Sequence, residues 1–290
     1  AFIDPASLRI VASLTTGEGP HEVCASADGR LAYVAIYGVG GRPGHQIAIY
    51  DVATQQETKR FDLRPQWSPH GLWESGGKIF FTSERTRSVG RYDPASNTVD
   101  WLMGTGQYGS HMIVALPGGK KVYTTNVFDH SVSAIEVVPA KPGPPVLKQI
   151  AVGRQPEGIG LRPDGSEVWA GHNSDGHISI IDTATDSVKQ VIPASKMAFR
   201  IAFTSDGQTA IVAGATGNEV VLIDAATKQI KKKIPTPGAV PQGILVAPGD
   251  KTLYVATGPA LLKVDLADGK ILASCEPGQG VDGLAWGGPA

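Results

Sequence analysis

The sequence predicts an all-β fold assembled from repeated four-stranded units, and three observations support this prediction. Of the 290 residues, 36 are glycine and 21 are proline, as expected where many tight turns join short strands. Short apolar runs alternate with turn signals such as Pro-Asp-Gly. The same order of runs and turns recurs along the chain with a period in the forties.

The most regular copy of the repeat is residues 153–192, which contains four short apolar runs. A Pro-Asp-Gly turn separates the first two runs, and Asp-Thr-Ala-Thr separates the last two. An acidic residue ends the third run in each copy, and these residues lie 41 to 46 positions apart: Asp51, Asp93, Glu136, Asp182, Asp224 and Asp265. We expect these carboxylates to cap turns. Four strands per period of this length predict the blades of a β-propeller.

Six copies are complete, and the chain ends supply parts of another. Residues 1–14 match the third and fourth strands of a blade, with Asp4 in the acidic position. Residues 281–286, VDGLAW, match a first strand. The sequence therefore predicts one seven-bladed propeller domain over residues 1–290, closed by a seventh blade that both ends share. About one strand is missing at this junction, so the seventh blade is expected to have three strands unless the chain has been shortened.

The strand–turn–strand pattern with its IDTAT ending resembles the YVTN family of β-propeller repeats. The matching motifs include YVA at 33–35, YTTN at 123–126, YVAT at 254–257, IIDTAT at 180–185 and LIDAAT at 222–227. The resemblance covers nearly the whole chain and implies the fold. It implies little about activity, because members of the family resemble surface-layer proteins, periplasmic binding proteins, lactonase-like enzymes and subunits of redox enzymes.

Composition excludes some classes of function. The net charge of −1 argues against nucleic acid as the main partner, because such binding usually needs a basic face. No apolar run approaches the roughly 20 residues of a membrane span. The two cysteines resemble neither a disulfide framework nor a metal motif. The opening residues AFIDPAS are typical of a mature N-terminus left after removal of a signal peptide. We therefore expect a periplasmic or secreted protein.

Equivalent positions in the first strands predict a ring of polar side chains around one axis. The first strands begin at the mouth of the central channel of a propeller, so residues in the same register face one another there. The ring position holds His21, His70, His111, Glu157, Arg200, Gln242 and Asp282. Glycine is expected at the next position, where backbones approach closely. The residues that fit this expectation are Gly71, Gly158, Gly243 and Gly283, and those that depart from it are Glu22, Met112 and Ile201.

Three histidines on consecutive blades, followed by a glutamate, predict a metal site. His21, His70 and His111 are its expected ligands, and Glu157 is a further ligand or a catalytic carboxylate. Zn, Fe, Cu, Ni and Mn all suit this ligand set. A site with three protein ligands leaves a position for water or substrate, as catalytic metals require.

Other residues are expected to support a small-molecule substrate at the channel mouth. We assign Arg200 a catalytic role in holding a substrate carboxylate or phosphate. Gln242 and Asp282 are expected to orient the metal ligands or the substrate. Trp67, Tyr108 and Phe199 lie in loops that lead into first strands, where they could form an apolar wall around a ligand or pack between blades.

The sequence leaves several functions open. The first hypothesis is a metal-dependent enzyme of lyase or lactonase/hydrolase type. The second is a non-catalytic periplasmic or extracellular propeller that binds a small ligand or a protein partner, and the third is a subunit of a redox complex. The same side chains could also form a metal-free ligand pocket, or line a hydrated channel mouth that has no function.

Overall fold

A computed structural model describes residues 1–138, 143 and 145–288 of the chain. Within them, six four-stranded antiparallel sheets follow one another along the sequence. Blade 1 comprises β3 (Pro20–Ala25), β4 (Leu31–Val39), β5 (Arg42–Asp51) and β6 (Gln56–Asp62). Blade 2 comprises β7 (Pro69–Ser75), β8 (Lys78–Ser83), β9 (Ser88–Asp93) and β10 (Thr98–Gly104). Blade 3 comprises β11 (Ser110–Ala115), β12 (Lys121–Asn126), β13 (Ser131–Glu136) and β14 (Leu147–Ala151).

The second half of the chain repeats this architecture. Blade 4 comprises β15 (Pro156–Leu161), β16 (Glu167–His172), β17 (His177–Asp182) and β18 (Ser187–Pro193). Blade 5 comprises β19 (Ala198–Phe203), β20 (Thr209–Gly214), β21 (Glu219–Asp224) and β22 (Ile230–Pro235). Blade 6 comprises β23 (Gly243–Val246), β24 (Thr252–Ala256), β25 (Leu261–Asp265) and β26 (Ile271–Cys275). The described residues contain no helix with the length and apolarity to cross a membrane. The predicted propeller of four-stranded antiparallel blades is confirmed.

Burial explains the composition of each strand. The second strand of blade 4, β16, is buried along its whole length, whereas its fourth strand, β18, is mostly exposed. Neighbouring blades cover both faces of the inner strands, so these strands are almost continuously apolar. The largest core cluster joins Trp169 and Ile180 of blade 4 to Val212 and Val221 of blade 5. The core of the protein therefore lies between blades.

The five aspartates that end third strands cap turns, as expected. Asp182 Oδ1 accepts hydrogen bonds from the backbone N–H groups of Ala184 and Thr185, both at 3.0 Å. Asp224 and Asp265 accept equivalent bonds from the backbone N–H groups two and three positions after them. These aspartates thus fix the turn into the outermost strand of their blades.

The prediction of a shared seventh blade is not matched by the sheets of the described residues. Residues 1–12 form a separate two-stranded sheet of β1 (Phe2–Ile3) and β2 (Ile10–Ala12). Near the C-terminus, Val281 makes one isolated bridge to Gly258, and the residues after it belong to no strand. The physical reason is that, within the described residues, no strand lies between the two end segments to pair with both of them.

The first strands of the blades surround a central cavity of about 700 Å³. It is lined by residues of β3, β7, β11, β15, β19 and β23, and by residues 282–286. Most of this lining is apolar, and Trp73, Met112 and Phe203 contribute to it. Glu22, Arg200 and Asp282 also line the cavity. These polar residues connect the cavity to the histidine ring.

Candidate metal centre

The three ring histidines lie together because β3, β7 and β11 are neighbouring first strands. The ring centroids of His21 and His70 are 3.9 Å apart, and those of His70 and His111 are 3.7 Å apart. His70 is the central member and is only 2% exposed. Tyr37, near the end of β4, packs its ring 5.6 Å from His21 and 5.5 Å from His70, measured between centroids. The stack therefore has an aromatic neighbour beside it.

Two groups of ligand atoms share His70. One atom each from His21, Glu22 and His70 lie within 4.8 Å of one another, and so do atoms from His70, Glu84 and His111. The Nδ1 atoms of His21 and His70 are buried without a hydrogen-bond partner among the described residues. Buried polar atoms usually have partners, so these two nitrogens fit a metal ion as well as a protein or water contact. Imidazole and carboxylate together suit a divalent transition metal.

His111 differs from the other two rings because carboxylates engage both of its nitrogens. Its Nδ1 bonds to Glu84, and its Nε2 lies 2.5 Å from Glu157 Oε1. Burial alone would lower the pKa of His111, but the two carboxylates raise this pKa to about 9. Burial likewise opposes ionisation of Glu157, yet His111 and Arg200 hold the pKa of Glu157 below its usual value. In the absence of a metal, His111 is therefore an imidazolium between two carboxylates at neutral pH.

The imidazole of His70 is neutral, in contrast to the protonated ring of His111. Burial lowers the pKa of its imidazole well below the usual value, and the neighbouring His111, His21 and Arg200 lower it further. It consequently remains neutral at physiological pH. Neutral imidazole is the form that binds metals, so His70 carries a free lone pair in the centre of the cluster.

Arg200 lies beside the histidines among three carboxylates. Its Nη2 donates to Glu22 Oε1 at 2.7 Å and lies 3.2 Å from Asp282 Oδ2, and its Nη1 is 3.8 Å from Glu157 Oε1. Arg200 and Glu22 are each 7% exposed. Burial raises the pKa of Glu22, but Arg200 and His21 overcome this effect and lower the pKa to about 2. The pKa of Asp282 is raised, chiefly by burial and by the nearby Glu22, against the effect of Arg200.

Among the described residues, the other four predicted residues form their hydrogen bonds and ring contacts with groups other than the three histidines. Gln242 donates its backbone N–H to Ala256 within blade 6. Trp67 packs against His45, with ring centroids 5.1 Å apart. Tyr108 is exposed and stacks under the guanidinium of Arg87 at 3.4 Å. Phe199 packs against Arg200, whose Cζ is 4.6 Å from the ring centroid.

Four residues of the cluster were not in the predicted site. Glu22 occupies a position where glycine is expected in the repeat. A glutamate there, next to His21, was the sequence signal that could have identified it as a site residue. Glu84 follows β8 in a loop on the same face, and its carboxylate also accepts a hydrogen bond from the Tyr37 hydroxyl at 2.6 Å. Asn173 donates to Glu157 Oε2 at 3.2 Å. Tyr37 carried no signal in the sequence, because its contacts with His70 and Glu84 are between blades. Asn173 contacts Glu157 within blade 4, and its place in the loop after β16, as for Glu84 after β8, was the available signal.

The fold defines the chain as a β-propeller, and comparison with solved structures agrees. The Cps50 (Swd1) β-propeller domain of Myceliophteria thermophila matches with a TM-score of 0.80 and 12% identity, over 96% of this chain and 92% of that chain. Kuenenia stuttgartiensis hydrazine synthase matches with a TM-score of 0.73 and 19% identity, over 89% and 80%. At these identities the similarity concerns the fold alone. No family model and no curated protein sequence matches the chain, so membership of the YVTN family remains a prediction.

Proposed function

We propose that the cluster binds one divalent transition metal and that the protein is a metal-dependent enzyme acting on a small molecule. His21, His70 and His111 are the proposed ligands, and the carboxylates of Glu22, Glu84 and Glu157 are the candidates to complete the set. Zn, Fe, Cu, Ni and Mn all suit these ligands. The observation that carries the proposal is the stack of three imidazoles with the unpartnered Nδ1 of His70 at its buried centre.

The proposed chemistry is that of a lyase or a lactonase-type hydrolase. A bound metal would act as a Lewis acid on a substrate oxygen. Glu157 has hydrogen bonds to His111 and Asn173, so it is held in place to accept or return a proton near the metal. Arg200 already has carboxylate partners, so we propose that it neutralises the carboxylates of Glu22 and Asp282 as well as attracting an anionic substrate.

Metal content tests the proposed site. The untagged protein is incubated with micromolar Zn, Cu, Fe, Ni or Mn, dialysed, and analysed by mass spectrometry for bound metal. We expect one equivalent in the wild type and its loss in His70→Ala. His177→Ala is the matched control, because that histidine is exposed in blade 4. A wild type that retains no metal, or equal loss in the control, contradicts the proposed site.

Catalysis is tested separately on the metal-loaded protein. A panel of lactones and of substrates for elimination is assayed before and after chelation. We expect turnover of one class, its loss on chelation, and its recovery when metal is restored. Metal binding without turnover of any substrate in the panel would contradict the proposed enzyme. It would favour a non-catalytic propeller that binds a ligand.

The contacts of His111 favour a second candidate function, a metal-free ligand pocket. An imidazolium held by two carboxylates is a complete ion-pair network that needs no metal. In this case the cluster is a polar recognition site for a small molecule, in a periplasmic or secreted binding protein. The metal analysis distinguishes the two candidates, because this alternative expects the wild type and His70→Ala to be equally free of metal.

A further inference from the structure

The central cavity has charged side chains at two levels along the channel. Glu22, Arg200 and Asp282 line it near the histidine ring. Glu74, four positions after His70 on β7, lines it further along the channel. In the shared register of the first strands, Glu74 lies three residues beyond Glu22, which corresponds to about 10 Å along a strand. The two levels are therefore far enough apart to contact opposite ends of one elongated ligand.

Carboxylates outnumber cations at both levels. Near the histidine ring, Glu22 and Asp282 share the guanidinium of Arg200, whose Nη2 lies 2.7 Å from Glu22 Oε1 and 3.2 Å from Asp282 Oδ2. At the second level, Glu74 Oε1 accepts a hydrogen bond from the backbone N–H of Gly77 at 2.8 Å. Arg200 is the only cationic side chain among the described residues that line the cavity. Each level therefore has one negative charge in excess when its carboxylates are ionised.

Apolar side chains line the cavity at the two strand positions between these levels. The first position holds Leu72, Ile159 and Ile244, and the second holds Trp73, Phe203 and Leu245. Aliphatic and aromatic surfaces favour methylene groups over water, and aromatic faces also attract organic cations. The cavity volume of about 700 Å³ lies within the range of about 300–1,000 Å³ that is typical of small-molecule sites. The wall and the volume therefore suit an organic molecule with an apolar middle.

We propose that the central cavity binds an elongated organic dication of the linear diamine type, with one ammonium group at Glu22 and Asp282 and the other at Glu74. The methylene chain between the two ammonium groups lies against Trp73 and Phe203. Ammonium–carboxylate hydrogen bonds are charge-assisted and roughly twice as strong as neutral ones, so the two ends give both affinity and a preferred length. The site is distinct from the proposed metal centre, because it depends on Glu74 and on the apolar wall.

Calorimetric titration with linear alkane diamines of three to ten carbons tests the proposal. The protein is first treated with a chelator and desalted, so that the result does not depend on the metal centre. We expect one saturable site, an affinity optimum at an intermediate chain length, and at least tenfold weaker binding of the monoamine with the same number of carbons. The dicarboxylate of that length should not bind, because both ends of the cavity repel it. Absence of saturable binding of every diamine at millimolar concentration overturns the proposal, as does equal affinity for the dicarboxylate.

A variant of Glu74 tests the position of the second ammonium group. Glu74→Gln removes one negative charge and nearly preserves the size of the side chain, so we expect at least tenfold weaker binding of the best diamine and loss of its advantage over the monoamine. Glu276→Gln is the matched control, because Glu276 is exposed after β26 and is not among the residues that line the cavity. Circular dichroism checks that both variants fold. An unchanged advantage of the diamine in Glu74→Gln, or an equal loss in the control, overturns the proposal.

Discussion

At the scale of single residues, the candidate site is governed by competition between protons and metal for the same nitrogens. His70 is held neutral by burial, whereas Glu84 and Glu157 hold His111 protonated. A metal that binds His111 must first displace its proton, because a protonated imidazole has no free lone pair. Metal affinity and the protonation of His111 are therefore linked.

This linkage predicts the pH dependence of metal affinity. The pKa of His111 is raised to about 9, so the ring is protonated below that pH and deprotonates as the pH rises toward it. Zinc affinity should therefore increase between pH 6 and pH 8, by roughly tenfold per pH unit where one proton is displaced. Competition with a chelating dye at fixed ionic strength measures it. A flat profile in the wild type, or an unchanged slope in His111→Ala, contradicts the assignment.

Arg200 gives a second prediction, concerning stability. Arg200→Met leaves Glu22 and Asp282 buried without the guanidinium that they share, and leaves Glu157 with His111 as its remaining cation. Removal of one partner from a buried ion pair typically costs about 3–5 kcal/mol, so we expect a loss of unfolding free energy of that order in urea denaturation. The matched control is Arg91→Met, because Arg91 pairs with Asp100 at a partly exposed site and should cost no more than about 1 kcal/mol. Equal losses of unfolding free energy in both variants would contradict the prediction that the burial of Arg200 makes its removal more costly.

The sequence predicted the positions of the cluster better than its interactions. The repeat register was enough to put His21, His70 and His111 on one ring, because strand register fixes which side chains share a face. The pairing of His111 with Glu84 could not be predicted in the same way. It depends on the conformation of a loop and on the approach of two blades, which the spacing of residues in the chain does not encode.

At the scale of elements, glycines in the first strands set how closely neighbouring blades approach. A Cβ at Gly71 would lie 2.6 Å from the carbonyl oxygen of His111 and 2.9 Å from the Cα of Met112. These are backbone atoms, so they cannot move aside as a flexible side chain would. The ring of histidines therefore depends on a small residue at the adjacent position.

Gly71→Ala should accordingly destabilise the protein and weaken the metal site together. Forcing a methyl group into a packed contact typically costs about 1–3 kcal/mol, here by separating β7 from β11. Urea denaturation and zinc titration measure the two effects. Gly104→Ala is the control, since a Cβ at Gly104 meets no atom within 4 Å and should change neither quantity. A stable Gly71→Ala variant with unchanged zinc affinity contradicts the close approach of the two strands.

At the scale of the whole molecule, the sequence predicted the repeat but not how its ends are arranged. Six complete copies gave six blades, because each copy contains every strand that its sheet needs. The partial repeat formed by the two end segments is one strand short of a blade. These segments remain separate in the described residues. A match to strand positions in the repeat does not by itself supply the hydrogen bonds of a sheet.

The open junction predicts where the molecule unfolds locally. Backbone N–H groups in residues 282–287 have few ladder partners, whereas those of β16 and β20 lie in central strands with neighbours on both sides. Local opening needs little free energy where few buried hydrogen bonds are broken. Hydrogen exchange followed by mass spectrometry should therefore be at least about a hundredfold faster in peptides covering 282–287 than in those covering β16 or β20. Uniform protection would contradict this prediction, because the junction would then be as stable as the complete blades.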